Sequence, residues 1–589
     1  MRKVFLIFGF LLVNSLLMAQ KVEYYLSMPK PQNHYFEVEM RVSDWNSATL
    51  ELSMPVWAPG SYLVRDFPKN VNQVLVKDNK KRPIRVSKKT KNTWLVDSIS
   101  VKEFSITYQV YAFELSVRTS FLDATHGFVS GSSVFMFVKG LENSASTLYI
   151  KPHSSFKKIS TSLPFKEKIK EYNVYSFQNF DELVDCPIEI GNHLEFEFIA
   201  AGIPHTVAMY GEGNYKIEPL KNDMAKIVQS CTDVFGFNPN KKYTFIIHNL
   251  TKGQGGLEHT NSTVLSVNRW SYEENYLGFL NLVAHEYFHL WNVKRIRPIE
   301  LGPFDYSQEN YTSLLWVMEG FTSYYDELLL KRSGYYTDIE LLQKLNSMCN
   351  YVEGSVGARV QPVSHASFDA WIKAYKPNEN SSNTTMSYYS RGALIACLLD
   401  VLIIEKSKGN HGLDHFMQYL YMKYFVELKR GFSESEFKQD LKRFVEYDVE
   451  GFFTKYINGT EILPFAEILS KVGVQVTSQN IESFECGISF SEEGGRVQVN
   501  RIASNSSAED SGISVGDEII AVNGFRVNAQ EFKNQLSKLT PDQSLSVLLS
   551  RDSKLMSLPL SGKLMQKPQF IFSKKQDEKQ NTLFNYWMR

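Results

Sequence analysis

The sequence predicts a multidomain chain with an all-β N-terminal domain, an α+β block that gives way to helices, and a small β-rich module near the C-terminus. Three observations carry this prediction. At 589 residues, with 43% hydrophobic and 13% aromatic side chains, the chain is too long for one core and apolar enough for several. From Lys21 to about Ala200, alternating runs such as HYFEVEMRV, TLELSMPV, EFSITYQVYAF and NHLEFEFIA are separated by turn clusters, including APGS at 58–61. That period-two pattern is the mark of half-buried strands. Beyond PHTVAMYGEG the period lengthens to that of helices, and near Val472 it shortens again.

Taken in order, residues 1–19 read as an export leader: Arg2 and Lys3, an apolar run from Val4 to Met18, then the small Ala19. This predicts an exported protein, periplasmic or secreted. No other run is expected to span a membrane once the leader is cleaved, because GALIACLLDVLII (392–404) is short and carries Asp400. The β domain is expected over 20–203 and the α+β and helical block over 204–470, with KNDMAKIVQSCTDVFG as a helix and KYTFIIHNL as a strand. In 471–565 two strands, GRVQVNRI the first of them, with Gly-rich turns and the single helix AQEFKNQLSKL suggest a compact module, and 566–589 reads as a loosely packed tail. Basic and acidic side chains balance at 64 each, so no net field recommends nucleic acid as a partner. The five cysteines, 186, 231, 349, 397 and 486, match neither a disulfide framework nor a zinc ribbon and are expected mostly as buried thiols, with one bridge open to them in an oxidising compartment.

The chemistry lies in LVAHEYFHLWNVKRIRP (282–298). A helix is expected over 276–297, ended by Pro298. His285 and His289 then stand one turn apart on one face, where two imidazoles converge on a tetrahedral ion. Glu286 beside them is placed to take a proton from water at the metal, the chemistry associated with this spacing. The alternative is a pair of hydrogen-bonded core histidines. A third ligand is sought in YTSLLWVMEGFTSYYDELLL (311–330), where Glu319 sits among Trp316, Val317, Met318 and Phe321. An unpaired carboxylate there is costly, so Glu319 is either a ligand or the partner of an arginine. Glu309, Asp326 and Glu327 have more polar neighbours and read as solvated charges.

HEYFHLWNVKRIRP together with LLWVMEGFTSYYDELLL resembles the glycyl aminopeptidase family of gluzincin metallopeptidases. MPVWAPGSYLVRDFPKNV (54–71) and DCPIEIG (185–191) are similar to segments of that family's N-terminal region. The resemblance implies a thermolysin-like catalytic domain, one zinc ion held by His285, His289 and Glu319, and Glu286 as general base. It also implies peptide substrates and a preference for N-terminal Gly or Ala. The 29 residues between His289 and Glu319 exceed the connection in other gluzincins and must loop out. GQGGLEHTNST (253–263) is by composition a turn entering a strand, and its GGLEH resembles the exopeptidase motif of alanyl aminopeptidases. By that likeness Gly255 and Gly256 lie along the substrate and Glu258 binds its free amine. In TTMSYYSRGALIACLLD (384–400), a similar Tyr-x-x-Gly pattern implies Tyr389 as oxyanion donor, leaving Tyr388 to packing.

FECGISF (484–490) and ASNSSAEDSGISVGDEIIAVNGFRV (503–527) look like a PDZ domain, which implies capture of a peptide C-terminus by backbone donors around Cys486, Gly487 and Ile488. Two other functions compete with an aminopeptidase: a PDZ scaffold with a vestigial peptidase site, and a zinc endopeptidase.

Overall fold

The computed structural model describes residues 20–575 and 578–589; the expected leader at 1–19 lies outside them. In the N-terminal region Tyr35–Ser43 and Phe104–Tyr111 bury alternate side chains. Sheets of eight, five and four strands enclose a core that includes Phe36, Met40, Leu52, Ile106, Leu148 and Ile190. One strand differs from expectation. Leu194–Ala200, part of the NHLEFEFIA run assigned to the β domain, turns through Ala201 and Gly202, both at positive φ (50° and 76°). It then pairs antiparallel with Ile203–Tyr210 in the catalytic sheet. Alternation reveals a half-buried strand but not which sheet it joins, and here a tight hairpin turn decides.

The catalytic sheet runs in the order Leu194–Ala200, Ile203–Tyr210, Tyr243–Leu250, Ser262–Asn268 and Gly256–Glu258, so the short Gly256–Glu258 strand is its edge. Against it pack the helices Ile217–Phe235 and Tyr276–Phe288; Leu315–Arg332 packs on Tyr276–Phe288, and Tyr388–Ser407 packs in turn on Leu315–Arg332. The apolar stretch 392–404 lies inside the last of these, buried throughout. Its Asp400 accepts hydrogen bonds from the Tyr324 hydroxyl at 2.6 Å and the Leu413 N–H at 2.7 Å. All five cysteines are free and buried.

The long connection between the two ligand-bearing helices does loop out, and it forms the seam with the β domain. The Trp57 indole N–H donates to the Asp305 carbonyl and the Val56 N–H to the Tyr306 carbonyl, both at 2.9 Å. Asp185 lies 2.8 Å from Lys294 and 3.0 Å from His259, and it accepts the Thr260 N–H. Deeper in the seam Glu189 bridges His126 (2.8 Å) and His248 (2.9 Å). Burial opposes charge on Glu189, but the two imidazoles outweigh it and hold the carboxyl at about 2. The seam is therefore polar and buried, a combination that penalises the loss of any one partner.

The C-terminal module has more strands than expected. Its sheet runs Ile488–Glu493, Arg496–Ile502, Glu518–Val522, Ser544–Arg551 and Lys554–Ser561, with Phe532 of the helix Ala529–Leu536 in the core. A two-stranded ribbon, Val474–Glu485 with Lys563–Lys574, carries the module and continues past residue 565. The ribbon is tied down where Asn350 Oδ1 accepts the Phe570 N–H and Asn346 Oδ1 the Phe572 N–H, both at 2.7 Å. The expectation of a loose tail is corrected. Phe584, Trp587 and Met588 are buried in the catalytic core, and the Trp587 indole N–H donates to the Tyr324 hydroxyl at 2.8 Å. The polar stretch 573–582 hides this from composition, because three apolar side chains at its end are enough to dock the helix.

Candidate active site

All eight residues singled out from the sequence line one cavity of about 820 Å³: His285, Glu286, His289, Glu319, Gly255, Gly256, Glu258 and Tyr389. The motif helix ends at Phe288, earlier than expected, and His289 caps it. Val293, at φ 103°, turns the chain, and the Asn292 amide donates to the Val317 and Met318 carbonyls of the neighbouring helix at 3.0 and 2.9 Å. This early turn has a use. It presents the Asn292 carbonyl 2.8 Å from His289 Nδ1.

His285 Nδ1 lies 2.9 Å from Asp326 Oδ2. With both Nδ1 atoms bonded to acceptors, each Nε2 is left as the free lone pair. Both Nε2 atoms face one oxygen, Glu319 Oε2, at 3.5 Å from His285 and 3.3 Å from His289. The three donor atoms lie within 4.8 Å of one another. Two nitrogens and a carboxylate oxygen on one side, with cavity on the other, are the donor set of an open zinc site. No arginine faces Glu319 among the described residues.

Burial works against charged imidazoles here, but Asp326 and Glu319 outweigh it at His285, and Glu319 does so at His289, so both are raised. Glu319 is likewise opposed by burial and held by the two rings at about 2. Burial pushes Glu286 the other way, up to about 7, against the pull of the histidines. Its Oε2 is buried without a hydrogen-bond partner, which is how a proton acceptor waiting for substrate water is expected to stand.

Glycines set the remaining distances. A Cβ on Gly256 would collide with the Glu286 carboxylate, so the edge strand can pass this close only without a side chain. Gly320 and Gly392 face each other where the Glu319 helix crosses the Tyr389 helix, and a Cβ on Gly392 would come 2.8 Å from the Gly320 Cα. This close crossing brings Tyr389 to the metal ligands, its ring centroid 6.3 Å from that of His285. Tyr388 is buried beside it.

Three residues of the site were missed or misread. Asp326, taken from its neighbours as a solvated charge, is 6% exposed and orients His285; its spacing of seven from Glu319 along the helix was the available signal. Gly60 and Arg118 come from the β domain. Gly60, at φ 83°, sits against Glu258, where a Cβ would lie 2.5 Å from Oε1. The Arg118 guanidinium donates to the Gly256 carbonyl at 3.3 Å. The APGS turn hinted at the first, and nothing local marked the second.

Fold and site together define a zinc metallopeptidase of the aminopeptidase class. Residues 23–192 match the Peptidase M61 N-terminal domain, 278–395 the M61 glycyl aminopeptidase domain and 485–561 a PDZ domain. The solved structure of an aminopeptidase N family protein from Idiomarina loihiensis superposes with a TM-score of 0.87 at 30% identity, over 96% of this chain and 100% of that one. An M1 zinc metallopeptidase from Deinococcus radiodurans gives a TM-score of 0.49 at 15% identity, over 76% of this chain and 96% of that one. No curated protein matches the chain. The chain belongs to the M61 glycyl aminopeptidase family.

Replacing Asp326 by Ala frees His285 Nδ1 and is expected to weaken zinc binding by about 10- to 100-fold. Competition with a chelator measures this, and unchanged affinity would remove Asp326 from the site.

Proposed function

We propose that the enzyme removes single N-terminal residues, preferring Gly and Ala, with one zinc ion held by His285, His289 and Glu319. The observation that carries this reading is the convergence of two oriented Nε2 atoms on one buried carboxylate with Glu286 unpartnered alongside. Bound zinc supplies Lewis acidity to the scissile carbonyl and to water. Glu286 takes the water proton and returns it to the leaving amine. Tyr389, in the same cavity, donates its phenolic hydrogen to the developing oxyanion. Glu258 receives the substrate ammonium, while Gly255 and Gly256 lie along the peptide backbone.

Because Glu258 and Glu286 project from the same neighbourhood as His289, an amine held at Glu258 puts the first peptide bond, and no later one, at the chemistry. The preference for small N-terminal residues rests on the family likeness; Gly60 lies against Glu258, where any side chain at position 60 would displace that carboxylate. Glu286→Gln is expected to keep bound zinc while lowering kcat by about 10²- to 10⁴-fold. With the unaltered enzyme, glycyl and alanyl amides should be cleaved well ahead of leucyl and lysyl amides, and N-acetylglycyl substrates not at all. Cleavage of blocked peptides would point to an endopeptidase instead.

We infer that the PDZ module takes a peptide C-terminus. Its strand Ile488–Glu493 is one of the two edges of its sheet, and a cavity of about 570 Å³ runs beside Cys486, Gly487 and Ile488. Peptides with a free C-terminus should then bind the full-length Glu286→Gln protein, and their amides should not; equal binding would exclude this mode. We also infer export to the periplasm or beyond, supported by the leader pattern at 1–19. N-terminal sequencing of the mature protein should begin after Ala19, and an intact Met1 would end that reading.

A further inference from the structure

We propose that Arg118 is the receptor for the free C-terminal carboxylate of the substrate, so that the enzyme selects peptides of two or three residues. The proposal rests on the reading of Glu258 as the amine site.

The active-site cavity holds charges of both signs. Glu258, Glu286 and Glu319 gather around the histidines, all of them buried. Arg118 lines the same cavity, delivered by the β domain onto the Gly256 carbonyl. Lys252 and Glu274, one of each sign, are exposed residues of its lining. A cavity that offers buried carboxylates and, beside them, a guanidinium with unused donors is complementary to a short zwitterionic peptide.

Arg118 has donors to spare. Among the described residues no carboxylate lies within ion-pair distance of it, its only side-chain hydrogen bond is the one to the Gly256 carbonyl, and its Nε is buried without a partner. Its neighbour Arg65 also has a buried, unpartnered Nε and bonds the Ser61 hydroxyl, with Glu114 acting on it from beyond ion-pair distance. A guanidinium held this way offers a planar fork to a carboxylate.

The position is also fixed in advance. Arg118 lies in the tight turn between the strands Phe113–Ser116 and Thr119–Leu122. The Arg118 N–H donates to Ser116 Oγ at 3.2 Å, and the Thr119 hydroxyl donates to the Glu114 carbonyl at 2.6 Å. Along the edge strand, Gly256 is two residues from Glu258, a step of about 3.3 Å per residue. An extended substrate advances at about the same rate. If its amine is at Glu258, its second or third residue ends level with the cation that grips Gly256.

The test compares triglycine with triglycine amide on the zinc-loaded full-length enzyme. The free acid should be favoured in kcat/KM by about 10- to 100-fold, mostly through KM, as a charge-assisted contact predicts. Arg118→Gln should bring that ratio close to one, and Arg118→Lys should restore part of it. Equal use of acid and amide by the unaltered enzyme overturns the proposal. So does an Arg118→Gln variant that slows both substrates in parallel, since that is the mark of a strut between domains. Cleavage of N-acetyltriglycine as fast as triglycine would instead defeat the amine reading, a separate failure.

Discussion

Three glutamates, 258, 286 and 319, are buried around His289, and the rest of the molecule has to make that concentration of charge tolerable. Carboxylates taken out of water repel one another and lose hydration, a cost that only opposite charge or specific hydrogen bonds offset. A divalent ion between His285, His289 and Glu319 is the compensation with the right geometry. The same requirement explains why the two outer nitrogens of the imidazoles are occupied. With Nδ1 of each ring committed, one to Asp326 and one to a backbone carbonyl, the rings cannot rotate to other partners.

From this follows the shape of the supporting structure. The motif helix must stop just after His289 so that a carbonyl turns back to meet it, and Asn292 secures the stop by bonding the helix that carries Glu319. The Glu319 and Tyr389 helices must cross without side chains between them, so glycine stands at 320 and 392. The edge strand must pass Glu286 without a Cβ, so glycine stands at 256. These are packing constraints first. Their effect on the site is that Glu286, Glu319 and Tyr389 are positioned by close backbone packing, which flexes less than side chains do.

Legibility in the sequence follows the same division. Residues that the structure brings into one cavity were findable from local features: two histidines one turn apart and a carboxylate among apolar neighbours by their setting, and the Tyr-x-x-Gly at a helix start by its family likeness. Residues that act across the chain were not. Asp326 was misread because its neighbours are polar, while its burial is imposed by a helix more than thirty residues away in sequence. Leu194–Ala200 was assigned to the wrong sheet because alternation carries no address. Trp587 was lost in a polar stretch, although its indole reaches the hydroxyl that also bonds Asp400. In each case the missing information is tertiary contact, which no window of sequence contains.

The β domain emerges as part of the active site, since the seam that joins it to the catalytic unit is made of buried charge. Glu189 spans two histidines, one from each side, and Asp185 pairs with Lys294 in the segment that follows the metal-binding helix. Apolar interfaces slide at little cost, whereas buried ion pairs hold register, because a small shift leaves a charge without its partner. A register held this firmly is needed if Gly60 is to stay against Glu258 and Arg118 against Gly256, contacts made from a different domain to a strand only three residues long. The seam thus fixes the dimensions of the cavity, and with them which peptides reach the metal.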